Sequence, residues 1–132
     1  MFLSFQENRN KIMQDKHIAI TIEPSPSMPN ITIITLKGNL DLSTSKHVDE
    51  KVLPVMETGE SDFILDVSDL DYLSSIGMMS LTKYQLLLTK KKRFLKLIKP
   101  PKPIYDTMAV FGFTKRFEIY ETVVEAISSS RV

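Results

Sequence analysis

The segment DFILDVSDLDYLSSIGMMSLTKYQLLLTKKK (62–92) decides the fold, because a buried strand and a long helix follow each other in it. DFILDVS (62–68) is the short apolar run that is typical of a buried strand. LSSIGMMSLTKYQLLLTKKK (73–92) has apolar residues at helical spacing, and its lysines gather at the end where the helix dipole favours cations. A strand that runs directly into a helix is the building unit of parallel sheets, so this segment predicts an α/β fold.

Two strands precede that segment. HIAITIE (17–23) alternates isoleucines with other residues, and ITIITLKG (31–38) is a second strand that ends at a glycine. Between them, PSPSMPN (24–30) predicts a break, because proline fixes φ and removes a donor. Two strands joined by a short loop favour an antiparallel hairpin.

The stretch after the hairpin predicts the first helix. Ser43 or Thr44 is expected to cap its amino end, and Pro54 is expected to kink or shorten it. Its expected apolar face consists of Val48, Val52, Leu53, Val55 and Met56.

Strands and helices also alternate after the central segment. The expected elements are a strand at FLKLIK (94–99), a helix at PPKPIYDTMAVFGF (100–113), a strand at FEIYE (117–121) and a helix at TVVEAISSS (122–130). The full order is β-β-α-β-α-β-α-β-α. This order predicts a mixed, mostly parallel sheet of four to five strands with flanking helices.

The length favours one domain, and the composition excludes chemistry that depends on cysteine. The 132 residues include no cysteine, which excludes disulfides and thiolate metal sites. No apolar run is long enough to span a membrane, and a cytoplasmic location is expected. The domain is expected over 17–132, preceded by a tail or an extra helix at 1–16.

Charge is distributed unevenly along the chain. Residues 41–71 carry nine acids against two lysines, whereas residues 83–116 carry ten bases against one acid. These blocks could steer a charged partner or neutralise each other across the fold. The run KKKR (90–93) is better explained as a solvated helix end than as a nucleic-acid contact.

No catalytic motif stands out. The chain has no Gly-x-Ser-x-Gly elbow, no grouped glycines that could form a phosphate loop and no paired histidines for a metal. We therefore expect a binding module with no cofactor and no metal, and not an enzyme.

Three landmarks over roughly residues 17–130 resemble the STAS domain family, in its anti-sigma factor antagonist branch. They are LKGNLDLSTS (36–45), FILDVSDLDYLSSIGMMSL (63–81) and PIYDTMAVFGFTKRFEIYETVVEAI (103–127). The resemblance implies a STAS-like fold and a protein that sequesters an anti-sigma factor, and so regulates transcription. It also implies two partners, a serine kinase of the histidine-kinase-like ATPase type that is itself the anti-sigma factor, and a serine phosphatase.

The resemblance assigns the phosphoacceptor to Ser75, two residues before the glycine that matches Gly77. Ser74 stands where the family has aspartate, and Ile76 stands where it has a second serine. Asp41 matches the family's loop aspartate near the phosphoserine. Ser75 itself is expected at the amino-terminal cap of its helix, where backbone amides and the dipole attract an anion.

The expected partner-binding surface surrounds Ser75. Adjacent helical positions face about 100° apart, so of Met78 and Met79 one is expected in the core and the other at the surface, unless both pack inside. The expected contact residues are Leu40, Asp41, Leu73, Ser74, Gly77, Met78 and Met79. The alternative function is a STAS module without phosphorylation, such as a scaffold of a signalling complex or a subunit of a lipid or anion transport system.

Overall fold

The structure, a computed structural model, describes residues 17–129. The tail or extra helix expected at 1–16 lies outside the described residues, as do the last three residues. The strands are β1 Ile18–Pro24, β2 Ile31–Leu40, β3 Asp62–Leu73, β4 Leu95–Ile98 and β5 Glu118–Tyr120. The helices are α1 Leu42–Thr58, α2 Ser75–Lys90, α3 Lys102–Val110 and α4 Val123–Ser128, with a 3₁₀ turn at Phe113–Lys115.

The five strands form one mixed sheet in the order β1-β2-β3-β4-β5. β1 pairs with β2 in antiparallel fashion, and each later pair is parallel. The predicted element order and the mixed, mostly parallel sheet are therefore confirmed. Because β2 and β3 are parallel neighbours, their carboxyl ends lie at the same edge of the sheet, with Leu40 opposite Leu73.

Both faces of the sheet are covered. The larger core lies beneath α1, α2 and α3, and on β3 it takes Phe63 and Leu65. Ile64, between them, points to the other face, as the alternation of side chains along a strand requires. There it joins Ala126 and Ile127 of α4 in a smaller core. Each helix therefore buries an apolar face against the sheet.

The first helix differs in two ways from its prediction. Its cap is Asp41, and neither Ser43 nor Thr44 has that role. Pro54 does not shorten the helix, which continues to Thr58. The predicted apolar face is confirmed, since Val48, Val52 and Met56 are buried and Leu53 and Val55 pack against the core.

The basic run and the acidic segment meet across the fold. The Lys91 ammonium donates to the carbonyls of Met56 at 2.8 Å and Gly59 at 2.7 Å, which gives the last carbonyls of α1 a partner. Arg93 forms an ion pair of 2.9 Å with Glu60. The two charge blocks therefore partly neutralise each other. Within residues 17–129, no helix combines the length and apolar character that crossing a bilayer requires.

Candidate functional site

Two helices begin side by side at the sheet edge where β2 and β3 end. α1 starts just after Leu40, and α2 starts just after Leu73. The amide of Ser74 donates to the carbonyl of Leu40 at 3.0 Å, which joins the two loops. Crevices at the carboxyl ends of parallel strands are common binding places in α/β folds. The predicted site residues from both loops are thus brought together.

The cap of α2 is Ser74, not Ser75 as expected. The Ser74 hydroxyl accepts a hydrogen bond from the Gly77 amide at 3.1 Å, and its carbonyl accepts from the Met78 amide at 2.9 Å. Ser75 is the first residue of the helix and is exposed. Both serines are suitable caps, and only the backbone geometry selects between them. The correction leaves the Ser75 hydroxyl unbound within the described part of the chain, and open to solvent.

Packing inside the molecule requires a glycine at position 77. A Cβ at this position would lie 2.4 Å from the Leu40 carbonyl oxygen and 2.7 Å from a methyl of Leu73. Such distances are far inside van der Waals contact, so no larger residue fits without movement. Gly77 is buried. Its missing side chain therefore lets the first turn of α2 approach the end of β2, and as a buried residue it is not part of the accessible surface.

Asp41 holds the start of α1 as an ionised cap. Its carboxylate accepts from the amides of Ser43 at 3.0 Å and Thr44 at 3.2 Å, and the Thr44 hydroxyl accepts from the Asp41 amide at 3.0 Å. This is a reciprocal capping arrangement. The pKa of Asp41 is lowered mainly because the Ser43 hydroxyl donates to the carboxylate at 2.8 Å. A negative charge therefore stays at this edge near neutral pH.

The predicted contact residues divide into buried and accessible ones. Leu40, Leu73 and Met78 are core residues, so their side chains support the surface without forming it. Met79 has 63% of its surface exposed, which confirms that one methionine faces inward and the other outward. Asp41 and Ser74 are half-buried.

Two exposed apolar residues of this edge were missed by the sequence analysis. Leu42 follows the cap of α1 and is 76% exposed, and Tyr72 near the end of β3 is 53% exposed. Strict alternation would place Tyr72 on the same face as buried Leu70. The pairing with β2 shifts at this point, because Leu70 faces Gly38 and Tyr72 faces Asn39, which leaves Asp71 as an extra residue. The irregularity turns Tyr72 outward, and no local sequence pattern signals it.

The comparisons with known proteins establish the family of the chain. The model of the STAS domain family matches residues 24–126, and the chain belongs to this family. No curated protein sequence shows significant similarity to the chain. Within residues 17–129, no group of three or more histidine, cysteine or acidic side chains could hold a metal ion.

Solved structures share the fold at low sequence identity. An anti-sigma factor antagonist from Mycobacterium paratuberculosis is 18% identical with a TM-score of 0.77, over 87% of this chain and 95% of that one. The anti-sigma factor antagonist SpoIIAA in its unphosphorylated form is 19% identical with a TM-score of 0.72, over 86% and 96%. The murine anion transporter Slc26a9 is 16% identical with a TM-score of 0.70, over 97% of this chain and 24% of that protein.

Proposed function

We propose that the chain is an anti-sigma factor antagonist whose binding to its anti-sigma factor is switched off by phosphorylation of Ser75. The observation that carries the proposal is the hydroxyl of Ser75, exposed and unbound at the first residue of α2. The similarity to antagonists over nearly their whole length supports it. In this role the chain is a cytoplasmic binding module that catalyses nothing, acts on transcription through its partner and makes no contact with nucleic acid.

The surface around Ser75 suits a protein partner. Leu42, Tyr72 and Met79 are exposed apolar side chains on the two helix starts and the adjacent strand end. Aromatic residues and methionine are enriched where proteins bind each other, and methionine adapts its shape to the partner. Gly77 and the buried residues beneath hold this surface in place. We infer that the anti-sigma factor covers these three side chains together with Ser75.

Phosphorylation would change this surface without changing the fold. A phosphate adds about −1.5 to −2 charges and three acceptor oxygens. The amides of Ser75 and Ile76 have no acceptor in the described residues, so the start of α2 can receive the anion. Asp41 lies in the adjacent loop and keeps its own negative charge. A partner surface fitted to a neutral hydroxyl would then meet a concentrated negative charge and lose affinity.

The partners of the proposed switch are two enzymes. The anti-sigma factor is proposed to be a serine kinase of the histidine-kinase-like ATPase type, and a serine phosphatase reverses the modification. The test incubates the full chain with candidate kinases of this type and ATP, and maps the phosphate by mass spectrometry. We expect one phosphate on Ser75, loss of labelling in Ser75→Ala and retained labelling in Ser74→Ala. Labelling that persists in Ser75→Ala would contradict the assignment.

A second function is a STAS module that binds without phosphorylation, as a scaffold or as a part of a transport system. The structural likeness to the anion transporter Slc26a9 favours it at the level of the fold. The replacement of the family's aspartate and second serine by Ser74 and Ile76 points the same way. Unlabelled protein with every candidate kinase, combined with a Ser75→Asp variant that still binds its partner normally, would favour this function.

A further inference from the structure

A basic cavity lies at the opposite end of α2 from Ser75. Its volume is about 690 Å³, and it opens between the carboxyl end of α2, the start of β4 and the 3₁₀ turn before β5. This size lies within the range of small-molecule sites. Four cationic residues line it, namely Lys92, Arg93, Lys115 and Arg116. α2 has 16 residues and is about 24 Å long, so the cavity is remote from the proposed partner surface.

Two carboxylates, Asp62 and Glu118, also line the cavity, so the acids are outnumbered by the cations. Asp62 accepts a hydrogen bond from the Phe94 amide at 2.9 Å, and Glu118 accepts from the Tyr120 hydroxyl at 2.8 Å. Among the cations, Arg93 is paired with Glu60 outside the cavity. Within residues 17–129, the other three have no carboxylate within 4.0 Å. Three cations without an ion pair therefore stand against two carboxylates, which leaves the cavity a net surplus of about one positive charge.

Lys92 occupies a backbone conformation that favours glycine. Its φ is 61°, and it is the one residue other than glycine with a positive φ in the described chain. The Lys92 amide donates to the Thr89 carbonyl at 2.9 Å, and the Arg93 amide donates to the Leu88 carbonyl at 2.8 Å. Helices commonly end in this way on a glycine, because Cβ crowds the backbone here. A lysine that keeps a strained backbone conformation at the edge of a cavity is a candidate functional residue.

We propose that this cavity binds an anion with two closely spaced phosphate groups. Arg116 supplies a planar donor fork, and Lys92 and Lys115 supply compact charges, which is the combination that suits phosphate oxygens. The Arg116 guanidinium also makes a cation–π contact of 5.7 Å with the ring of Phe113, which limits its freedom of movement. A soluble diphosphate and a phosphorylated lipid headgroup share this chemistry. The proposal stands independently of the Ser75 switch.

The test is calorimetric titration of the full chain with inorganic pyrophosphate at about 0.15 M salt, where weak surface attraction is screened. Each charged hydrogen bond contributes enough that Lys115→Gln and Arg116→Gln should each weaken binding about tenfold. The control is Lys51→Gln, which removes an exposed lysine of α1 and should leave affinity unchanged. Equal losses in all three variants would overturn the proposal, because they would indicate attraction by net charge alone.

Lys92→Gly is the most discriminating variant. Glycine suits the positive φ, so the melting temperature should not fall, while pyrophosphate affinity should drop about tenfold. Unchanged affinity would contradict the proposal without any doubt about folding.

A lipid arm measures sedimentation with phosphatidylcholine vesicles that contain phosphatidylinositol 4,5-bisphosphate, whose headgroup carries two adjacent phosphates, against phosphatidylcholine alone. Binding of pyrophosphate with no vesicle binding assigns a soluble diphosphate. Vesicle binding that depends on Lys115 assigns a lipid headgroup. Failure of the wild-type chain to bind either probe would overturn the proposal, and would leave the Ser75 switch untouched.

Discussion

The starts of α1 and α2 lie side by side, yet they satisfy their free backbone amides in different ways. α1 uses the carboxylate of Asp41, which accepts from two amides and is ionised. α2 uses the neutral hydroxyl of Ser74, which among residues 17–129 accepts from the Gly77 amide alone. A negative charge stabilises the amino end of a helix. The start of α1 has such a charge in its cap, whereas the start of α2 has none. This contrast explains why a phosphate on Ser75 would suit the second helix and would change the surface that both helices form.

The largest expected effect comes from disrupting the close packing between the start of α2 and the end of β2, just before α1. Gly77→Ala places a methyl group 2.4 Å from the Leu40 carbonyl, so we expect a loss of about 3 kcal/mol in the free energy of unfolding. Urea denaturation measures it. Gly59→Ala is the control, because its Cβ meets its nearest neighbour, the Val55 carbonyl, at 3.2 Å and should cost under about 1 kcal/mol. Equal stability of the two variants would contradict the close approach.

The second largest loss of stability is expected when the charged cap of α1 is removed. Asp41→Ala removes the acceptor of two amides and should cost about 1.5 kcal/mol near neutral pH. Folding lowers the pKa of the Asp41 carboxyl. The stabilisation by this carboxylate is therefore complete at pH values above the pKa that Asp41 has in the unfolded chain. It is lost as the pH falls through the lower pKa that Asp41 has in the folded protein. The stability gap between wild type and Asp41→Ala should therefore close in acid.

Asp71→Ala is the matched control, since the exposed carboxylate of Asp71 has no hydrogen bond or ion pair within residues 17–129. It should show a small change at each pH. A gap for Asp41→Ala that stayed constant from neutral to strongly acidic pH would argue against an ionised cap.

The smallest effects separate the two serines. Ser74→Ala should cost about 1 kcal/mol, because the Gly77 amide loses its acceptor. Ser75→Ala should change stability by less than about 0.5 kcal/mol, because the hydroxyl is exposed and unbound. Thermal or urea unfolding of both variants measures the contrast, and a reversed order would mean that Ser75 is the cap.

Much of the fold could be predicted from periodicity and breakers. The five strands, their order with the helices and the mixed sheet follow from alternating apolar runs and from the strict strand–helix succession after the hairpin. Local patterns could not predict the length of β3, which continues past DFILDVS to Leu73. That extension depends on pairing with β2 through two register shifts, and pairing partners are not encoded in the local sequence.

The closeness of the two loops of the candidate site could be predicted better than the helix caps within them. The resemblance placed Ser75 and Asp41 at one edge, and the structure brings their two loops together. The predicted caps of the two helices are wrong. Asp41, Ser43 and Thr44 are all chemically suitable as caps and lie in one short stretch, and the same holds for Ser74 and Ser75. The contact of Lys91 with the end of α1 joins residues more than thirty positions apart, and no helix-dipole argument anticipates it.

The most direct test of the proposed switch is the affinity of the anti-sigma factor for the two forms of the chain. Titration would compare unmodified protein with protein that carries a phosphate on Ser75, and a phosphatase-treated sample would serve as the reversal control. The proposal predicts that the phosphate weakens binding at least tenfold, or ~1.4 kcal/mol, and that dephosphorylation restores it. Equal affinity of the two forms would contradict it.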